Sequence, residues 1–471
     1  MNHSESAIKN NDTANRPILF SIMVSALLPT FLSSSVNVAL PVLGKEFGMS
    51  AASLSWISTA YLLAAAVFLV PFGRAADIYG RKRIFFWGVV LLTVSSLLCV
   101  FTQSGWQLIV LRILQGVGGC MLSSTGIAII SSVYPSGERG KALGMIGITS
   151  YVGMSAGPTL GGILTEHFGW RSIFVFCTLL GLVILFTVLK FMKTEWTEAK
   201  GEKYDIGGTL IYCISLILLL CGFTFLQRAY GLILLIAGIV GVVLFAVWAS
   251  KTESPVVNLS LFKGNRIFIF SIIAALINYG IIFVISYILS LYLQYISGLS
   301  PQYAGIVLIT QPLLQAVFSP IAGRLSDRME SRKVACIGMA LNCIGLILLI
   351  FIGDHTPLIY IIISLIFEGL GCAFFISPNQ NTVMNSVEKQ SYGVASGILA
   401  TMRNIGQMIC MAIATMCLTA YIGNSQIASK IFPDFLKSIH LTFVIMTALG
   451  VLGIFSVLIK IKKRYAQSED V

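Results

Sequence analysis

Three ionisable residues lie inside long apolar stretches of this chain: Arg112, Glu368 and Arg403. A charge at the centre of a membrane-spanning helix costs about 2.5–3.5 kcal/mol on insertion scales, so such a side chain faces a cavity or a partner. Of the 19 aspartates and glutamates, Glu368 alone lies deep in an apolar stretch. A carboxyl group in that position can take up and release protons.

Glu368 and Arg403 lie at similar depths, about ten residues into their predicted helices at about 1.5 Å per residue. The sequence therefore predicts that they face one cavity and interact directly. In that arrangement the carboxylate alternates between a paired and a protonated form, or meets a cationic substrate. A static buried ion pair is the structural alternative.

Arg112 precedes Gln115 by one helical turn and lies nearer one end of its apolar segment. It either faces the cavity or extends to the membrane interface, as long cationic side chains often do. Further polar residues fall within the predicted helices and indicate a substrate cavity or hydrogen bonds between helices. The predicted cavity set is Gln115, Asn278, Gln311, Gln315 and Glu368.

Two short segments place a carboxylate and several cations at helix ends. Residues 73–83 follow the second apolar stretch, and residues 323–327 repeat their glycine, arginine and aspartate. The aspartate can pair with basic residues or cap a neighbouring helix, and so latch two helix bundles in one state. Membrane anchoring by the cations is the simpler alternative. The residues concerned are Gly73, Arg74, Asp77, Gly80, Arg81, Gly323, Arg324 and Asp327.

Residues 153–162 hold glycines and a proline inside a stretch long enough to cross a bilayer. Neighbouring helices can pack closely onto such small residues, so the segment predicts a bendable, tightly packed helix. A close-packed helix without a special role is the alternative. The positions are Gly153, Gly157, Pro158, Gly161 and Gly162.

The composition indicates the elements that hold these residues. Of the 471 residues 56% are hydrophobic and 11% charged, well below the roughly 25% charge of soluble proteins. The apolar stretches predict fourteen spans in an all-α integral membrane protein. Most of the 31 lysines and arginines fall in alternate loops and the two tails. This bias predicts a multi-pass cell-membrane protein with both termini cytoplasmic.

The net charge of +12 thus reflects topology, and no nucleic-acid partner is expected. All ten cysteines lie within predicted spans and serve as small packing residues. The chain has no phosphate-binding loop of the ATPase type and no metal-ligand pattern. We therefore expect no cofactor, metal or ATP, and no enzyme activity; the expected partners are membrane lipid, a small molecule and protons.

An internal repeat divides the chain. Gly116 and Gly118 return as Gly369 and Gly371, and Gly153 returns as Gly406 at the same offset. Such recurrence in matching spans predicts two homologous six-helix bundles separated by two inserted helices. The predicted boundaries are a cytoplasmic tail at 1–17, the first bundle at 18–192, a charged loop with the inserted helices at 193–266, the second bundle at 267–460 and a tail at 461–471.

Four motifs in these spans resemble those of the major facilitator superfamily, and in particular its fourteen-span drug:proton antiporters. Residues 153–162 resemble the antiporter motif GxxxGPxxGG, residues 73–83 the loop motif, residues 108–118 the span-4 motif, and residues 31–41 the span-1 motif. The resemblance implies alternating access, proton-coupled export of amphiphilic drugs, and a role in proton transfer for Arg112. Leu32 stands where the span-1 motif has an acid, which shifts the proton chemistry towards Glu368.

Two other functions fit parts of this pattern. A dedicated exporter or importer of one metabolite would share the fold, and the absent span-1 acid favours it. A receptor or a membrane-embedded enzyme would not need two copies of the loop segment. The sequence therefore favours a secondary transporter.

Overall fold

The computed structural model describes residues 2–134, 136–226, 229–252, 254–256, 264–387, 392–423 and 425–458, and gives no side-chain detail for 2–15, 136–140, 327, 392–393 and 429. The predicted tail at 461–471 lies outside these ranges. The described residues form helices and no strand. The helices are α1 (Asn2–Phe47), α2 (Ala51–Tyr79), α3 (Arg81–Val100), α4 (Gly105–Val133), α5 (Ser136–Phe168), α6 (Arg171–Phe191), α7 (Ile206–Thr224), α8 (Ala229–Lys251), α9 (Arg266–Tyr295), α10 (Pro301–Leu308), α11 (Thr310–Arg328), α12 (Ser331–Ile350), α13 (Leu358–Asn385), α14 (Tyr392–Ile422) and α15 (Phe432–Leu458).

Thirteen segments of the described chain are long and apolar enough to cross a membrane. They include Arg16–Phe47 of α1, and α10 with α11 together form one of them. α5, with 33 residues, is long enough to be the fourteenth. The predicted all-α membrane fold is confirmed.

The span made by α10 and α11 bends at Ile309, between the two helices. Pro312 lies in the first turn of α11 and has no amide hydrogen to donate to the Leu308 carbonyl. The hydrogen bonds from Ile309 N to Gly305 O and from Leu313 N to Ile309 O continue on either side. The segment Pro301–Ser326 is thus one membrane-length span whose helix is interrupted at Ile309.

We call helices α1–α6 the first half and helices α9–α15 the second half. Repeated glycines make matching helix contacts in these two halves. A Cβ at Gly116 of α4 would collide with α2, and one at Gly369 of α13 with α11. Likewise, a Cβ at Gly118 would meet α3 and one at Gly371 would meet α12. In the same way α5 packs on α1, and α14 packs on α9. The internal repeat therefore corresponds to a repeat of close helix packing.

The hairpin of α7 and α8 lies beside both halves. The two helices pack on each other, and α7 also contacts α2 and α14. An apolar cavity of about 200 Å³ separates the hairpin from those two helices, with Tyr212, Phe245, Ile398 and Met402 in its wall. Most of α8 is exposed on the outside of the protein.

Hydrogen bonds join the two halves at one end of the molecule. We call the helix ends that carry residues 73–83 and 323–327 the basic face, and the other ends the opposite face. At the opposite face, Ser290 Oγ donates to Asn37 O at 2.8 Å and Gln294 Nε2 donates to Val38 O at 2.9 Å. Gln302 N donates to the Glu166 carboxylate at 3.0 Å. α1 and α5 are thereby joined to α9 and α10.

The packing is looser towards the basic face. Gly144 and Gly147 of α5 and Gly397 of α14 have no other heavy atom within 4 Å of where a Cβ would stand, apart from their own helix and chain neighbours. The positions beside these three glycines are therefore open at the basic-face ends of α5 and α14.

Candidate functional site

Arg112 lies inside the first half, 1% exposed. Its Nε donates to the carbonyl of Ile57 at 3.0 Å and its Nη1 donates to Gln115 Oε1 at 2.9 Å. Gln115 in turn donates to Ser96 Oγ at 3.0 Å, and the guanidinium stacks 4.4 Å from the centre of the Tyr61 ring. Arg112 therefore links α2, α3 and α4 and does not extend to the membrane interface.

Glu368 lies inside the second half and is fully buried. Neither of its carboxyl oxygens has a hydrogen-bond partner among the described residues. Oε1 lies 2.8 Å from where a Cβ of Gly345 would stand, so the side chain of α13 lies against α12. The amide of Asn342, on the same face of α12 as Gly345, also leaves one polar atom without a partner among the described residues.

The predicted direct contact between Glu368 and Arg403 is wrong for this structure. The described part of the chain holds no ion pair between them, and the carboxyl oxygens have no donor. The cause is the rotation of the two helices. Glu368 fills the space left by Gly345 on α12, whereas Arg403 extends from α14 towards Tyr279 of α9.

Arg403 is half-buried and lies among three tyrosines from both halves. Its guanidinium is 5.9 Å from the centre of the Tyr279 ring, and it lies close enough to Tyr61 and Tyr151 to act on their hydroxyl groups electrostatically. The Tyr151 hydroxyl lies beside Gln315 and Ser319 of α11. We call Arg403, Tyr61, Tyr151, Tyr279 and Gln315 the Arg403 cluster.

The predicted cavity residues do not gather at one place. Gln315 belongs to the Arg403 cluster, and its Oε1 has no partner among the described residues. Gln115 is bound to Arg112. Asn278 donates to the sulfur of Met339 and Gln311 to the sulfur of Cys372, both at 3.4 Å. Both lie within the second half, and Gln311 binds one turn of α13 away from Glu368.

Tyr61 and Tyr151 were not singled out from the sequence. A tyrosine within an apolar helix is usually a packing residue with a satisfied hydroxyl. Their distance from the ends of α2 and α5 is the one sequence signal that sets them apart from interfacial tyrosines.

The loop between α2 and α3 turns at Gly80, whose φ of 116° strains any residue with a Cβ. Just before it, Asp77 accepts hydrogen bonds from Arg81 at 2.8 and 2.9 Å. Arg81 also donates to Ser132 Oγ of α4 at 2.7 Å. The carboxylate therefore pairs with a cation of its own loop. A Cβ added at Gly73, six residues before the end of α2, would lie in ordinary van der Waals contact with Ser124.

The charged linker at 193–205 is not a free solvated loop, because it binds this turn. Arg81 N donates to Trp196 O at 2.9 Å, and Lys82 N donates to the Glu195 carboxylate at 2.8 Å. Glu198 forms an ion pair with Arg81 at 2.7 Å. We call these contacts, together with the ion pair described next, the linker clasp.

Arg74 forms an ion pair with Glu202 at the end of the linker clasp. The hydrogen bond from the Arg74 guanidinium holds the pKa of the Glu202 carboxyl below its usual 4.5. The ion pair with Arg74 therefore favours the ionised form of Glu202.

The second loop segment is held differently. Gly323 lies near Ser377 Oγ of α13, and Arg324 is exposed and forms no ion pair with any described residue. The side chain of Asp327 is outside the described set. The two copies of the segment thus share a sequence but not their surroundings.

The glycine and proline segment of α5 presents two packing faces. Gly153, Gly157 and Gly161 approach α1 so closely that a Cβ at any of them would collide with it. Gly162 approaches the Pro301 carbonyl of α10, and Gly305 of α10 approaches the Pro158 carbonyl. α5 is therefore held by its own half on one side and touches the other half on the second side.

The fold and these inter-half contacts define a membrane transporter of two repeated halves. The sequence matches the profile of the Major Facilitator Superfamily over residues 22–269 and 271–470. The chain belongs to this superfamily of transporters, and it is not an enzyme.

Characterised and solved proteins are similar to it at different levels. The riboflavin transporter RibZ of Clostridioides difficile is 32% identical over 82% of this chain and 85% of its own. The multidrug resistance protein Stp of Mycobacterium tuberculosis (strain CDC 1551 / Oshkosh) is 29% identical over 86% of this chain and 75% of its own. The nucleoside transporter NupG has the same fold, with a TM-score of 0.63 and 14% identity over 94% of this chain and 99% of its own.

Proposed function

We propose that this protein is a proton-coupled antiporter that exports amphiphilic small molecules by alternating access. The observation that carries the proposal is the fully buried Glu368, whose carboxyl oxygens have no partner among the described residues. The relatives named multidrug resistance proteins support the substrate range.

An ionised carboxylate without partners in an apolar interior is strongly unfavourable, so Glu368 holds a proton in this state. Movement of α13 against α12 would bring water or a donor to the carboxyl group and release the proton. Binding and release of one proton per cycle would then couple transport to the proton gradient. In the first half, the position that matches Glu368 is Gln115, which accepts a hydrogen bond from Arg112. Arg112 would therefore keep a fixed positive charge beside that position.

The orientation follows from the charge distribution. With the basic face in the cytoplasm, the contacts between α1, α5, α9 and α10 close the outer side, and the looser packing near Gly144 and Gly397 opens the inner side. The protein would then receive its substrate from the cytoplasm in this state. Both termini would lie on that side of the cell membrane.

The test measures substrate-induced proton release in proteoliposomes that enclose a pH dye. Cationic, neutral and anionic amphiphiles are applied to the wild type, to Glu368→Gln and to a control, Asp434→Asn. Asp434 lies at the surface in an ion pair with Lys437, so the control should behave as the wild type. We expect responses to several compounds in the wild type and a loss of at least tenfold in Glu368→Gln. Unchanged proton release in that variant would overturn the coupling role of Glu368.

A dedicated transporter of one metabolite is the second candidate. The relative RibZ is named for a single compound, riboflavin, and Leu32 is fully buried where the antiporter motif has an acid. A response confined to one chemical class in the proteoliposome panel would favour this candidate.

A further inference from the structure

The Arg403 cluster lies where the two halves meet. Tyr61 comes from α2 and Tyr151 from α5 of the first half, whereas Tyr279, Gln315 and Arg403 come from α9, α11 and α14 of the second. A ligand in this place touches both halves at once. That is what alternating access requires of a substrate site.

Arg403 has no acidic partner. No described carboxylate forms an ion pair with it, and no described acceptor takes a hydrogen bond from it. Glu368, the carboxyl group deep in the spans, lies against α12 instead. Arg112, by contrast, has two hydrogen-bond acceptors. A guanidinium with five donors in a planar fork is thus left without an acceptor among the described residues.

We infer that this site binds the anionic group of an aromatic or otherwise planar organic anion, which rests on the transporter function proposed above. The guanidinium matches a carboxylate, sulfonate or phosphate with two parallel hydrogen bonds. The rings of Tyr151 and Tyr279 offer stacking surfaces for the planar part. Gln315 Oε1, which has no partner among the described residues, accepts a hydrogen bond from a polar substituent.

The inference separates this chain from an exporter of organic cations. A cation in the cluster would lie beside an uncompensated guanidinium, and the buried Leu32 supplies no acid in α1 to offset it. Repulsion of like charges in a site of low polarity is strong. Cationic amphiphiles should therefore bind least well.

The test uses three probes of one shape and different charge: 2-naphthoate, 2-naphthamide and 2-naphthylmethylamine. Each competes with radiolabelled 2-naphthoate for purified full-length protein in lipid nanodiscs. We expect the wild type to bind the naphthoate at least about tenfold more tightly than the amide, as for a hydrogen bond to a charged group, and the amine weakest.

The variants assign the effect to one side chain. Arg403→Gln should remove the preference for the naphthoate. Arg403→Lys should keep only part of the preference, because the charge remains but the planar arrangement of guanidinium donors is lost. Arg266→Gln is the matched control, since Arg266 is exposed at the start of α9. Its preference should equal that of the wild type.

Three results would overturn the inference: no binding of the naphthoate, tightest binding of the amine, or an unchanged preference in Arg403→Gln. If Arg403→Gln fails to fold, the wild-type order of the three probes and the Arg403→Lys result decide. Proton release is measured separately, so Arg403-dependent anion binding without proton flux would leave this inference standing and reject proton coupling. If only cations were transported and their transport were coupled to protons, proton coupling would stand and this inference would be rejected.

Discussion

Arg112 and Arg403 are two arginines inside the membrane with opposite surroundings. Arg112 is stacked on Tyr61 and donates hydrogen bonds to Ile57 and Gln115. Groups of the first half therefore stabilise its charge. Arg403 lies over the Tyr279 ring and donates to no described acceptor. One is suited to holding helices together and the other to binding a ligand.

Substitution of Arg112 should therefore destabilise the protein. Arg112→Gln removes two hydrogen bonds to a charged group and should lower the free energy of unfolding by about 2–3 kcal/mol. Arg112→Lys should lower the free energy of unfolding less, because the side chain keeps its charge and loses only one of the two hydrogen bonds. The thermal midpoint of purified protein in detergent measures both, with Arg266→Gln as the control. Equal midpoints for all three variants would contradict the structural role.

At the scale of elements, the linker clasp joins the loop after α2 to the segment that leads into α7. The linker binds residues in this turn and just before it through Glu195, Glu198 and Glu202. Because residues 193–205 bind there and lead into α7, we expect a movement of the turn to be transmitted to the α7–α8 hairpin.

The clasp should weaken in acid. The pKa of Glu202 is lowered in the bound linker, so its contribution is present above the ordinary value of 4.5 and is lost as the pH falls through the lowered pKa. Hydrogen–deuterium exchange of residues 194–204, corrected for the intrinsic rate at each pH, should rise over that range. Glu202→Gln should exchange faster than the wild type at neutral pH and converge with it in acid. A constant difference at every pH would reject this account.

At the scale of the whole molecule, the contact between Gly162 and the Pro301 carbonyl keeps the opposite face closed. The halves approach each other there through backbone atoms, and not merely through side chains that can move aside. This close approach requires that neither Gly162 nor Gly305 carries a Cβ.

Gly162→Ala should therefore shift the protein away from the state described here. The added methyl group lies too close to Pro301, so α5 and α10 must separate. Exchange at residues 160–168 and 300–306 should rise, and the transport rate should fall several-fold. Gly144→Ala is the matched control, because the position of its Cβ is open. Equal exchange in the two variants would show that the contact does not hold the face closed.

Much of the architecture follows from the sequence, because apolar length and repeated glycines are direct signatures of spans and close packing. Gly116 and Gly369 are predicted as equivalents and pack equivalently. The Glu368–Arg403 contact fails because counting residues gives depth along a helix but not rotation about its axis. The sequence does not predict the linker clasp for another reason. The acids of the linker are visible in the sequence, but their partners are distant along the chain and nothing in the sequence pairs the two segments.

The exposed surface of α8 bears on how freely its sequence can vary. α8 packs mainly on α7, and most of its residues face outwards. The sequence of its outward face is therefore constrained mainly by solubility in lipid, whereas Gly238 and Gly241 on its inner face approach α7 too closely for a Cβ. For protein engineering, this makes α8 the natural position for a reporter group, since an exchange of its outward residues for other apolar ones leaves the helix contacts of both halves in place.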